Sequence, residues 1–224
     1  MAVPPFAPIL AAARKRTGGE TALAALLPKA KSAKALRATP DDRYLSLMCL
    51  RIFRAGLKHA LVDARWPAFE EAFHGFDPRR VALMNDEDIE RLMGDARLIR
   101  HLGKLRAVPA NAAAMRVIGA EAGGFGAWLA DWPGTEIVGL WDALADRFSQ
   151  LGGNSGPYFL RMAGKDSFVV SPDVIKALIG LGIVEKKPTS KKDRSAVQAA
   201  FNAWGEESGL PLCHMSMILA RSIG

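Results

Sequence analysis

The chain has 224 residues, 50% of them hydrophobic and 24% charged, enough apolar material for a sizeable core in one large domain or two small lobes, and too much for a largely disordered chain. No stretch approaches the roughly 18 uninterrupted apolar residues of a membrane helix. The start, Met1 to Pro8, has neither a basic n-region nor a long apolar core, so a cytoplasmic protein without membrane association is expected.

The net charge of +7 suits a polyanionic partner, and its distribution is uneven. Residues 1–40 carry Arg14, Lys15, Arg16, Lys29, Lys31, Lys34 and Arg37 against the single acid Glu20. This basic N-terminal segment is set apart from a main domain over residues 41–224. Downstream, apolar residues recur at spacings of three and four with few alternating runs, which predicts helices nearly throughout. Asp88 to Met93 reads as a helix capped by Asn85 and closed by Gly94, with Asp86, Glu87 and Asp88 at the positive end of its dipole. A longer helix is expected from about Leu98 to Ile118, bent or divided at Pro109.

Four glycines between Gly119 and Gly126, followed by Trp132-Pro133-Gly134, mark a change of direction. Trp141 to Phe148 reads as a short amphipathic helix. Ser171-Pro172-Asp173 is a strong start signal, with serine as cap, proline as first helical residue and an acid in the first turn. A basic loop is expected over residues 185–194, containing Lys186, Lys187, Lys191, Lys192 and Arg194, and closing helices over Ala196 to Trp204 and Leu212 to Ile223. Cys49 and Cys213 lie in apolar segments, as buried thiols do. Structural zinc needs four suitably spaced Cys or His ligands, and the scattered histidines do not supply them, so neither metal nor cofactor is expected.

The chemistry concentrates at about residues 144–163, where Leu151-Gly152-Gly153-Asn154-Ser155-Gly156-Pro157 separates two helical stretches. Glycines permit positive φ, so successive backbone N–H groups can converge on one anion, and the following helix adds its own unpaired N–H groups. That makes a phosphate grip, although the same glycines also suit a plain turn between helices.

Leu-Gly-Gly-Asn-Ser-Gly resembles the Leu-Pro-Gly-Val-Gly hairpin of the helix-hairpin-helix DNA glycosylase superfamily. Gly164 is followed by Lys165-Asp-Ser-Phe-Val-Val-Ser171, similar in length and apolar pattern to the loop that leads in that superfamily to a catalytic aspartate. Three further stretches resemble DNA-3-methyladenine glycosylase I: Phe69-Glu-Glu-Ala-Phe-His-Gly-Phe-Asp-Pro78, Val81 to Leu92, and Leu98-Ile-Arg-His-Leu-Gly-Lys-Leu105. The resemblance runs from about Asp41 to Ile183. It implies an all-α helix-hairpin-helix glycosylase fold with two helical lobes around a basic cleft, double-stranded DNA with a damaged base as partner, a monomer, and a pocket that holds an extruded base.

By that resemblance Gly152, Gly153, Asn154, Ser155, Gly156, Lys165 and Ser171 are the expected contacts to the DNA backbone. Ser171 stands where the superfamily has its aspartate, and Asp173, two residues on, is the candidate catalytic carboxylate, though its place also suits a plain partner of the helix dipole. The family pattern Cys-Leu-Glu-Gly-Gln-Gln-Ala-Gly-Leu-Ser-Trp reads here Cys49-Leu-Arg-Ile-Phe-Arg-Ala-Gly-Leu-Lys-His59, so Arg51 replaces the lesion-contacting glutamate and His59 the stacking tryptophan. Arg51, Phe53, His59, Tyr44 and Trp66 form the candidate base pocket, and the aromatic members are equally suited to core. A guanidinium facing a cationic base at about 4 Å costs roughly 4 kcal/mol at an effective dielectric of about 20; whether Arg51 faces inward is left open. The family's terminal zinc ligands have no counterparts, so packing must fasten the ends. Lyase chemistry is excluded at the hairpin, because bifunctional relatives place a nucleophilic lysine where this chain has Pro157. The expected function is therefore monofunctional excision of an alkylated or otherwise damaged base, and the alternative is a noncatalytic DNA-binding protein with a degenerate pocket.

Overall fold

The computed structural model describes residues 3–223; the first two residues of the apolar start and Gly224 lie outside it. The described residues contain helices and turns and no strand. Fourteen α-helices follow one another: α1 Phe6–Thr17, α2 Glu20–Ala24, α3 Ala33–Ala38, α4 Asp41–Arg54, α5 His59–Ala72, α6 Pro78–Val81, α7 Asp86–Gly94, α8 Leu102–Ala122, α9 Phe125–Asp131, α10 Ile137–Arg147, α11 Ser155–Ala163, α12 Pro172–Gly180, α13 Lys191–Ser208 and α14 Leu212–Ser222. Among the described residues no helix is long and apolar enough to cross a membrane.

Local signals act as the sequence leads one to expect. Asn85 Oδ1 accepts from Asp88 N while Asp88 Oδ2 accepts from Asn85 N, a reciprocal capping box. Ser171 Oγ accepts from Val174 N. Elsewhere tertiary packing overrides local signals. Pro109 sits inside α8 without dividing it, and α8 starts at Leu102 and not Leu98. Two helices are longer than their apolar patterns suggest. The helix expected at Trp141 begins at Ile137, and the last part of the expected basic loop, from Lys191, is the first turn of α13, capped by Ser190 Oγ on Asp193 N.

The chain divides into two compact units: residues 1–30, 133–140 and 164–224 form one, and residues 31–132 and 141–163 the other. The basic N-terminal segment is thus not a single arm, since α1 and α2 belong to the first unit and α3 to the second. In the first unit Phe6 packs on Trp204 with ring centroids 5.8 Å apart, and Trp204 Nε1 donates to Pro4 O at 2.8 Å. The Glu207 carboxylate accepts from Phe6 N at 2.9 Å and from Ala7 N at 3.3 Å, standing at the start of α1 where local sequence supplies no cap. Asp166 does the same for α14, accepting from Leu212 N and Cys213 N at 3.0 and 2.9 Å. Phe168 stacks on Phe201 at 4.1 Å.

In the second unit, α4 turns Tyr44, Leu45, Met48, Cys49, Ile52 and Phe53 into the core. Burial pushes the Cys49 thiol far up from its ordinary value, with the Glu70 charge adding to it, so it stays protonated. Trp66, Phe69, Phe73 and Phe76 stack as near-parallel rings, Trp66 to Phe76 at 5.4 Å and 8°. Gly126 lets α9 approach the α3 backbone, because a Cβ there would lie 2.3 Å from Leu36 O.

Since the termini are held by stacking and helix caps, Glu207→Ala is expected to cost about 1 kcal/mol, read as a lower midpoint of thermal unfolding. Dialysis against EDTA is expected to leave that midpoint unchanged.

Candidate base pocket and nucleic-acid interface

The hairpin lies in the second unit. α10 ends at Arg147, Ser149 and Gln150 lead into the turn, and α11 starts at Ser155. Gly153 has φ +59°, and Gln150, at φ +66°, occupies the left-handed region without being glycine. The turn closes through Ser155 N to Gly152 O at 3.2 Å and Gly156 N to Leu151 O at 3.1 Å. A Cβ on Gly156 would stand 3.1 Å from Leu151 O, so this glycine serves the turn's own closure. Gly152, Gly153 and Asn154 are exposed, ahead of the positive end of α11. From the facing helix α8, the fully buried Asn111 donates to Ser149 O at 3.1 Å and accepts from Ser149 N at 2.7 Å, which anchors the entry to the turn.

A pocket of about 720 Å³ opens between the C-terminal end of α4 and α11, lined by Arg51, Arg54, Ala55, Gly56, Leu57, Lys58, His59, Tyr158 and Met162. Arg51 and Arg54 occupy the last turn of α4, where the negative end of the helix dipole favours cations. The Arg51 guanidinium lies over the Tyr158 ring, 5.0 Å from its centroid. Its Nε is buried without a hydrogen-bond partner among the described residues. Burial lowers the Arg51 pKa from its ordinary value; the Tyr158 side chain opposes that and the Arg54 charge adds to it. Arg54 is neutralised by a two-point contact to Asp63 at 2.8 and 2.7 Å. Beneath the loop, the buried Lys104 donates to Ala55 O at 2.6 Å and Phe53 O at 3.3 Å, and its pKa is lowered by burial and then by the Arg51 charge.

Of the five expected pocket residues, Arg51 and His59 line the cavity and three do not. Tyr44 is fully buried with its hydroxyl donating to Leu36 O at 2.7 Å. Phe53 is fully buried with its ring 4.6 Å from Phe69, pointing away from the face of α4 that bears Arg51. Trp66 donates to Ser46 Oγ at 3.0 Å and stacks in the aromatic column. Helical periodicity explains one of these: Phe53, two residues beyond Arg51 and so about 200° around α4, points to the other side, whereas Tyr44, seven residues before Arg51 and on the same side of the helix, is taken up by the core two turns away. The aromatic partner that does line the pocket is Tyr158, on the hairpin's second helix. Its proximity to Arg51 is a long-range contact without a local sequence signal.

Among the expected DNA contacts, Lys165 is 7% exposed and therefore does not stand in solvent as a free phosphate ligand. Lys104 is likewise a structural cation and not a surface charge. Ser171 caps α12, and Asp173 is exposed in that helix's first turn. No group of three or more His, Cys, Asp or Glu placed to hold a metal ion exists among the described residues.

An all-helical chain carrying a glycine hairpin between two helices has the architecture of helix-hairpin-helix DNA glycosylases. The 8-oxoguanine glycosylase/lyase of Methanocaldococcus jannaschii, solved with DNA containing 8-oxoguanine, shares the fold with a TM-score of 0.51 over 83% of each chain, at 12% identity. The chain belongs to the methyladenine glycosylase family, whose model matches residues 36–149. It is 41% identical to DNA-3-methyladenine glycosylase 1 of Escherichia coli (strain K12) over 76 residues, 34% of this chain. That alignment spans only 41% of the length of the Escherichia coli protein. A 3-methyladenine DNA glycosylase I variant solved with 3-methyladenine is similar over 64% of this chain and 84% of its own, at 25% identity and a TM-score of 0.50. The family match ends before Leu151, so the likeness of the hairpin turn and of α11 rests on the fold.

Two substitutions test this construction. Lys104→Ala is expected to lower unfolding free energy by about 1.5–3 kcal/mol, because two carbonyls lose a charged donor. Asn111→Ala, which leaves Ser149 N–H and C=O unpaired, should cost about 1–3 kcal/mol. Both are read from denaturant midpoints at unchanged slope.

Proposed function

We propose that this protein is a monofunctional DNA glycosylase of base excision repair, acting as a monomer on double-stranded DNA that carries a damaged base. The observation that carries this reading is the open pocket at Arg51, His59 and Tyr158, in the chain segment where the family reads its lesion and against the hairpin's second helix. In this reading the exposed backbone of Gly152, Gly153 and Asn154 and the start of α11 hold a phosphate, which positions the duplex without reading its sequence. The adjoining pocket receives the extruded nucleotide.

Excision needs an acceptor for positive charge on the sugar and a placed water. Asp173 is the proposed carboxylate: it stands two residues beyond Ser171, in an exposed first helical turn, and is free to be approached by DNA. Pro157 has no amine with which to form a Schiff base, so water is the nucleophile and the strand is left uncut.

A noncatalytic DNA-binding reading is favoured by one observation, Arg51 in place of the family's glutamate. The two separate in a single-turnover assay with folded protein in excess over duplexes that carry a panel of lesions. Release of free base above buffer is expected, and Asp173→Asn should slow it by about 10²–10⁴-fold with DNA affinity and its salt dependence unchanged. Release no faster than in buffer across the panel would remove the enzyme.

A further inference from the structure

The pocket bears a charge opposite to the one an alkylated purine would seek. Its lining includes Arg51, Arg54, Lys58 and His59 and no acidic side chain. Asp63 offsets Arg54, whereas the Arg51 Nε is buried without a hydrogen-bond partner among the described residues, and the charges Arg51 meets are the cations Arg54 and Lys104. A half-buried guanidinium in this state is short of an acceptor. The Arg51 guanidinium carbon stands over the Tyr158 ring, 5.0 Å from its centroid, so the ring holds the group by its π face and takes up none of its N–H donors as a hydrogen-bond acceptor.

We propose that the pocket takes an uncharged oxopurine, a base with neighbouring acceptors at O6 and N7 as in hypoxanthine, read by paired hydrogen bonds from Arg51 held over Tyr158, and that it rejects cationic N-alkylpurines. Planar donors in a fork match two adjacent acceptors on a purine edge, the commonest use of arginine in reading guanine. A base with a proton on N7, such as an 8-oxopurine, offers one acceptor of the two and fits less well. The proposal rests on the glycosylase reading for the presence of an extruded base; the choice of base comes from the charge and geometry of the pocket.

The same group assists departure. An alkylated purine is cationic and leaves as a neutral molecule, so a guanidinium gives it nothing. An uncharged oxopurine leaves with the electron pair of the C1′–N9 bond, and its negative charge spreads onto O6 and N7, where Arg51 donates. Water supplies hydroxide to C1′ and its remaining proton to the purine, so the products are a hydroxylated sugar and the neutral free base. Hydrogen bonds that strengthen as this charge develops favour the transition state over the ground state. Arg51 thus replaces the attraction that a carboxylate gives a cationic base with stabilisation of an anionic leaving group.

The test has two arms on the full chain. Calorimetric titration with free hypoxanthine and with the 3,9-dimethyladeninium ion, an N-alkylpurine that keeps its positive charge without a sugar, reads the pocket, and release from duplexes containing deoxyinosine or N3-methyladenine reads the reaction. The wild-type protein is expected to bind hypoxanthine about tenfold to hundredfold more tightly than 3,9-dimethyladeninium. Arg51→Glu should reverse that order, and Arg51→Gln, which keeps a polar side chain of moderate size, should abolish most of the difference if the glutamate variant fails to fold. Tighter binding of 3,9-dimethyladeninium by the wild-type protein, binding of neither base, or an order unchanged in the variants overturns the proposal, whatever is released from DNA. Binding of hypoxanthine without release from any duplex leaves the pocket assignment standing and removes the glycosylase reading instead.

Discussion

A single buried ammonium determines where α4 stops and, with that, where the pocket begins. Lys104 reaches from α8 to the carbonyls of Phe53 and Ala55 and satisfies groups that the end of a helix leaves without partners. The chain then leaves α4 through Gly56, at φ +77°, and returns as α5 at His59. Were α4 one turn longer, Arg54 to Lys58 would continue as helix and the rim of the cavity would not exist. The cost of burying that cation is met by the helix dipole and two carbonyls, and the same dipole favours Arg51 and Arg54 on the last turn.

Arg51 is placed by a division of labour on one helix. Tyr44, Leu45, Met48, Cys49, Ile52 and Phe53 commit a broad face of α4 to the core, and Arg51 stands at the margin of that face, where it meets α11 and its Tyr158. The aromatic column of Trp66, Phe69, Phe73 and Phe76 stiffens the floor of this unit without lining the pocket. The candidate pocket therefore begins where the core face of α4 ends, and Arg51 lines it without entering the core.

The other unit solves a different problem. A chain without terminal zinc ligands must hold its ends by another means, and it uses remote carboxylates as helix caps: Glu207 for α1 and Asp166 for α14. Both helices follow proline and carry no side-chain cap of their own, so the acceptors come from far along the chain. Phe6 against Trp204 adds the apolar contact. Asp166 lies in the loop that resembles the approach to a catalytic aspartate, yet its carboxylate is spent on α14.

By itself the sequence determined the helical class, the capping box at Asn85 and Asp88, the start of α12 at Ser171, the glycine turn at 152–156 and the family, because each depends on local spacing or on residues in order along the chain. It also showed that the family's glutamate had become Arg51. Only the tertiary structure decided what that arginine faces, that Tyr158 and not Tyr44, Phe53 or Trp66 stands beside it, and that Lys104 and Lys165 are buried. Those outcomes depend on which helix packs against which. An aromatic or a lysine at helical spacing carries no mark in the sequence of whether the surface opposite it is solvent, core or a pocket.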